Sequence, residues 1–114
     1  MEPMRTILIT GAASGIGEAT ARLFVEKGWF VGLFDIDENK LETLAAEIGG
    51  SRCVPGRMDV ADRESVEKGL GLFMERTGGA LHVLFNNAGI LKTGFFHDLS
   101  LDEQLKVVDV NLKG

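Results

Sequence analysis

The apolar run Arg5 to Thr10 passes directly into three glycines, Gly11, Gly15 and Gly17, spaced Gly-x3-Gly-x-Gly, and a helical pattern begins immediately behind them. Glycine weakens strand and helix interiors alike, so three in eight positions mark a loop whose backbone must be approached closely. The chain therefore opens with a strand, a bare loop and a helix.

The same alternation continues. The first helical pattern predicts Ile16, Ala19, Leu23 and Phe24 on an inward face and a stop at Gly28. A second buried strand is expected from Trp29 to Asp35. Asp37 is placed to cap the next helix, whose apolar face is Leu41, Leu44, Ala45 and Ile48. The third strand, in "RCVPGRMDV", carries Pro55, which cannot donate to a ladder and so predicts an edge position. Asp62 opens a helix with Val66, Leu70, Phe73 and Met74 inward, and a fourth strand runs from Leu81 to Asn86. Ser100 and Glu103 form a capping box for a fourth helix with Leu101, Leu105, Val108 and Leu112 inward. Strands alternating with helices across short loops predict a parallel sheet covered on both faces, an α/β fold of about four strands and four helices. Residues 1–114 form one domain, or a contiguous part of one.

The composition excludes several classes. The 12 Lys and Arg are scattered and the net charge is −5, so no basic stripe is available to a nucleic acid. No apolar run approaches the roughly 18 residues of a membrane span. Cys53 is the sole cysteine, which precludes an internal disulfide and fits a cytoplasmic location. His82 and His97 have no partners at ligand spacing, so no metal site is expected. Cys53, Trp29, Phe30 and Phe34 read as core residues.

A glycine loop between a strand and a helix points backbone N–H groups at whatever fills it, with roughly half a positive charge added by the helix dipole. That arrangement suits a pyrophosphate, and a plain tight turn reads the same by itself. Asp35, closing the second strand, stands where a dinucleotide fold places an acid on the adenosine ribose.

The motifs then become specific. "TGAASGIG" (Thr10–Gly17), Asp35, "DV" (Asp59-Val60), "NNAG" (Asn86–Gly89) and "VNLKG" (Val110–Gly114) occur in an order and spacing that resemble the N-terminal half of the short-chain dehydrogenases/reductases. The resemblance spans nearly the whole chain and implies a Rossmann-like three-layer αβα fold. It implies NAD-binding roles for Gly11, Ser14, Gly15, Ile16, Gly17, Asp35, Ile36, Asp59, Val60, Asn87, Ala88 and Gly89. The backbone around Ser14 to Gly17 would hold the pyrophosphate and Ser14 would add a hydroxyl donor. Asp59 would accept from the adenine amine, Val60 would wall the ring, and Asn87 would lie along a ribose. Thr10 is expected to tie the first strand to its neighbour. Asn111, expected in the fourth helix, would hold the water of a proton relay.

Asp35 predicts NAD(H) over NADP(H). A carboxylate about 4 Å from a 2′-phosphate is repelled by on the order of 4 kcal/mol per charge pair at an effective dielectric near 20. No Arg or Lys stands in the glycine loop or directly after Asp35.

The resemblance also implies a catalytic Tyr-x3-Lys and a serine, yet the chain contains no tyrosine. They would lie beyond Gly114, leaving a cofactor-binding half that should not catalyse efficiently, and the substrate of the longer parent would be an alcohol or carbonyl compound. A fourth strand left as an unpaired edge, and a fourth helix that the resemblance places in a dimer face, predict a homo-oligomer. Two alternatives stand beside this reading. S-adenosylmethionine-dependent methyltransferases share the early glycines and acid, although the "NNAG" segment and the glycine spacing discriminate against them. The other is a non-catalytic dinucleotide-binding or self-associating module.

Overall fold

A computed structural model describes residues 4–88 and the backbone of 108–111. The elements are β1 (Thr6–Thr10), α1 (Gly15–Glu26), β2 (Phe30–Asp35), α2 (Glu38–Ile48), β3 (Cys53–Arg57), α3 (Arg63–Thr77), β4 (Val83–Asn86) and β5 (Val108–Asn111). All strand pairs are parallel and the sheet order is β3-β2-β1-β4-β5, a Rossmann-like α/β arrangement.

Period-two alternation along each strand divides the core between the two faces of the sheet. Ile7, Ile9, Val31, Leu33, Cys53 and Phe85 face Ala21, Val25, Leu41 and Leu44 of α1 and α2. Leu8, Phe30, Phe34, Val54 and Leu84 face Val66, Leu70 and Phe73 of α3 on the other side. Both faces are buried, which is why the strands read as continuous apolar runs. Cys53 is a buried core residue, as expected, and β3 with Pro55 lies at an edge.

The caps follow the sequence. Asp37 accepts from the N–H of Lys40 at 3.2 Å, Asp62 accepts from that of Glu64 at 3.0 Å, and Gly78 closes α3 in the left-handed region. At the N-terminal end of the sheet, His82 Nδ1 accepts from the N–H of Thr6 at 3.0 Å, and Thr6 Oγ1 donates to the Ala80 carbonyl at 2.6 Å. His82 thus locks β1 to the approach of β4, a structural role.

Three expectations are corrected. The buried face of α1 is Gly17, Ala21 and Val25, with Phe24 half-buried, whereas Ile16, Ala19 and Leu23 are exposed. The Ile16 set and the Gly17 set are both spaced at helical intervals, and the small residues win because α1 lies close against the sheet and loop. Val108–Asn111 is a strand, so Val108 and Asn111 do not lie on a fourth helix; the rest of that expected helix, and His97, fall outside the described residues. Three valines in four residues at 107–110 favour extended backbone, and β4 offers them an open ladder. Consequently β4 is not an unpaired edge: it pairs with β5 from Val83↔Val108 to Asn86↔Asn111. Among the described residues the count is five strands and three helices.

Candidate dinucleotide site

The strand order reverses at β1, which has β2 on one side and β4 on the other. In an open parallel sheet, ligands bind outside the C-terminal ends of the strands at such a reversal. The register aligns those ends: Thr10 pairs with Phe34 of β2 and with Asn86 of β4, and Asp35 pairs with Arg57 of β3. Asn111 lies beside Asn86 at the same end of the sheet.

Here a cleft of about 310 Å³ is lined by Gly11, Ser14, Asp35, Ile36, Met58, Asp59, Val60, Asn87 and Ala88. Eight of these nine were expected from the sequence. Met58 was not, because a buried apolar residue before Asp59 carries no signal beyond that of core. Gly15 lines an adjoining hollow between α1 and α2, together with Ser14. Gly89 lies outside the described residues.

Steric requirements account for the glycines. Gly11 and Gly15 have φ of 68° and 60°, the left-handed region that disfavours side chains. A Cβ on Gly11 would stand 3.1 Å from the Ala88 nitrogen. On Gly17 it would overlap the Gly11 carbonyl oxygen and stand 2.9 Å from Asn87 Nδ2. On Gly15 it would meet nothing within 4 Å. Gly17 is therefore glycine so that α1 can close on its own loop, while Gly15 leaves open space at the start of the helix.

Thr10 ties the strands as expected. Its Oγ1 donates to Asn86 Oδ1 at 2.6 Å and accepts from the N–H groups of Asn87 at 3.1 Å and Ala88 at 3.3 Å. Asn87 Nδ2 in turn donates to the Gly11 carbonyl at 3.3 Å. The asparagine pair thus braces β1, the loop and β4 together.

The two acids are each bound to backbone. Asp35 accepts from Ala13 N–H and Asp37 N–H, both at 3.0 Å. Asp59 accepts from Ala61 N–H at 3.0 Å, an Asx turn, and its own N–H donates to Ser65 Oγ at 2.9 Å. Each carboxylate has about four acceptor positions, so both retain capacity for a ligand.

The remaining groups fit a dinucleotide. Ser14 is the N-cap of α1, but its side chain makes no cap hydrogen bond, so the hydroxyl is available at the helix N-terminus. Ile36 is 58% and Ile16 is 55% exposed, and Ile36 with Val60 forms an apolar wall suited to a purine face. No Lys or Arg is among the described residues lining the Asp35 cleft; Lys40 and Arg22 line the adjoining hollow, where Arg22 is paired with Glu18 and Glu47. Among the described residues no His/Cys/Asp/Glu group could hold a metal, and no helix is long and apolar enough to cross a membrane.

Comparison with known proteins agrees with this geometry. The short chain dehydrogenase family model matches residues 5–114. The oxidoreductase UcpA of Salmonella typhimurium is 41% identical over 112 residues, covering 96% of this chain and 42% of that protein. An NAD-dependent glycerol dehydrogenase of Listeria innocua is 36% identical over 110 residues, covering 96% of this chain and again 42% of that protein. Among solved structures, a 3-ketoacyl-(acyl-carrier-protein) reductase from Brucella melitensis complexed with NADH superposes with a TM-score of 0.71 at 34% identity, over 75% of this chain and 35% of that one. The chain therefore spans about two-fifths of the length of the curated relatives it matches.

Proposed function

The chain belongs to the short-chain dehydrogenase/reductase family, and from that premise we propose that it is the cofactor-binding part of an NAD(H)-dependent oxidoreductase that interconverts alcohols and carbonyl compounds. One observation carries the reading: residues from four separate stretches, Gly11–Ser14, Asp35–Ile36, Met58–Val60 and Asn87–Ala88, converge on one cleft at the strand reversal.

The α1 N-terminus and the Ser14 hydroxyl hold the pyrophosphate beside Gly15. Asp35 accepts from the adenosine ribose, and the purine lies against Ile36 and Val60 with Asp59 at its amine. Asn87, already bonded to the loop, turns its Oδ1 to the second ribose, and Gly11, Ala88 and Gly89 allow close approach. Bound NAD(H) supplies the hydride chemistry. Asn111 retains a proposed relay role, now from the C-terminal end of β5. The chain contains no tyrosine to act as the family's proton donor, so these 114 residues on their own are expected to bind cofactor and turn over poorly. Residues 1–114 act as part of one Rossmann-type domain, and self-association is proposed from the family resemblance.

Titration with NADH and NADPH tests the reading. Saturable NADH binding is expected, with NADPH at least about tenfold weaker, a third of the unscreened repulsion at Asp35. Equal affinities would overturn the preference, and absence of binding would overturn the site.

A further inference from the structure

Asp35 bonds at once to the glycine loop, to the start of α2 and to the stretch that follows β3. Its Oδ2 accepts from the N–H of Ala13 and its Oδ1 from that of Asp37, both at 3.0 Å, and its backbone carbonyl accepts from the N–H of Met58, also at 3.0 Å. Immediately before it, the Phe34 carbonyl accepts from the N–H of Ala12 at 3.1 Å. Two consecutive N–H groups of the glycine loop are thus held by β2, the first by main chain and the second by a side chain that prolongs the ladder. Ser14 then adopts an extended conformation and Gly15 a left-handed one, and α1 begins.

The two backbone donors approach different oxygens of the side chain, Ala13 on Oδ2 and Asp37 on Oδ1, so both oxygens must accept. An ionised carboxylate has both, whereas a carboxamide has one and turns its own N–H groups on the other donor. The bond from Asp37 also fixes the rotation of the carboxylate, so Oδ2 is aimed at Ala13 without any ligand.

We infer that Asp35 is a positioning residue for the diphosphate-binding loop as well as a ribose acceptor. It holds Ala13, and through Ala13 the Ser14–Gly15 turn, in the conformation that a diphosphate meets. This rests on the dinucleotide reading above and deepens it. The carboxylate that repels a 2′-phosphate also sets the loop, so removing it to admit NADP(H) loosens the grip on the diphosphate of either cofactor.

The test uses the 114-residue chain with ADP and 2′,3′-dideoxy-ADP as probes, together with the solvent-exchange rate of the Ala13 amide in the free protein. If Asp35 served the ribose alone, Asp35→Asn would weaken ADP but leave dideoxy-ADP unchanged or tighter, since a negative charge near an anion is removed. As a positioning residue, Asp35→Asn weakens dideoxy-ADP about tenfold, the effect of one lost charge-assisted hydrogen bond, and accelerates Ala13 exchange. Either an unchanged dideoxy-ADP affinity or an unchanged Ala13 exchange rate overturns the inference, while ADP binding by the wild type leaves the functional reading standing. If the wild type binds neither probe, the functional reading fails, and the exchange comparison alone decides the role of Asp35. Should Asp35→Asn not fold, Asp35→Glu keeps the charge but displaces both oxygens by a methylene, and the same two outcomes apply.

Discussion

At Gly17 a single hydrogen in place of a methyl decides whether α1 can close on the loop that precedes it. Gly17→Ala drives a Cβ into the Gly11 carbonyl and against Asn87 Nδ2. We expect it to cost about 1–3 kcal/mol of stability as an overpacked site, read by urea denaturation, and to abolish measurable NADH binding. Gly15→Ala meets no atom but must hold φ near 60°, which costs about 1–2 kcal/mol. The spacing of these glycines was legible in the sequence because a steric prohibition leaves one residue type. The hydrogen bonds of Asp35 to Ala13 and of Asn87 to Gly11 were not legible. They depend on which backbone donors the fold brings opposite each side chain, and an aspartate at a strand end reads the same whether it faces a ribose or a loop.

The three helices start in two different ways. Asp37 and Asp62 cap α2 and α3 with their own carboxylates, whereas Ser14 heads α1 without using its hydroxyl. Asp62→Ala should therefore cost about 1 kcal/mol in thermal or urea unfolding. Ser14→Ala should leave stability nearly unchanged and weaken NADH by up to about tenfold, the worth of one hydrogen bond. A stability loss in Ser14→Ala comparable to that of Asp62→Ala would show the hydroxyl serving the helix instead. At this scale the sequence was readable wherever one signal stood alone, as with the Asp caps and the Pro55 edge. It misled where two signals overlapped. Leu101, Leu105, Val108 and Leu112 have helical spacing, yet Val107, Val108 and Val110 in the same stretch are strand formers, and pairing with β4 decided the matter for 108–111. On α1 a run containing both large and small apolar residues offered two faces, and only contact with the loop chose between them.

Across the whole molecule, the sheet order accounts for the position of the site and for its net chemistry. Residues far apart in sequence share one end because the strands run parallel and in register. Cys53, 1% exposed on the α2 side of the core, reports on the integrity of this arrangement. Burial pushes its thiol above the ordinary value of 9.0, with Arg76 opposing in part. The folded chain therefore keeps this proton to higher pH than the unfolded chain does, and stability falls as pH rises beyond the ordinary thiol range. The slope of unfolding free energy against pH above 9 should be shallower in Cys53→Ala than in the wild type, and iodoacetamide should label the native thiol only as fast as the protein opens. Rapid labelling of folded protein would contradict the buried placement.

The sheet also separates two apolar clusters that share no side chain. Defects on opposite faces should thus combine almost additively. In evolutionary terms, each face can drift through its own succession of Leu, Ile, Val and Phe without awaiting a compensating change on the other. Thr10, Asp35 and Asn87 at the C-terminal strand ends have less freedom, because their side chains bond to the backbone of neighbouring segments. Lineages of this chain should accordingly diverge in both cores while the rim between them stays nearly fixed.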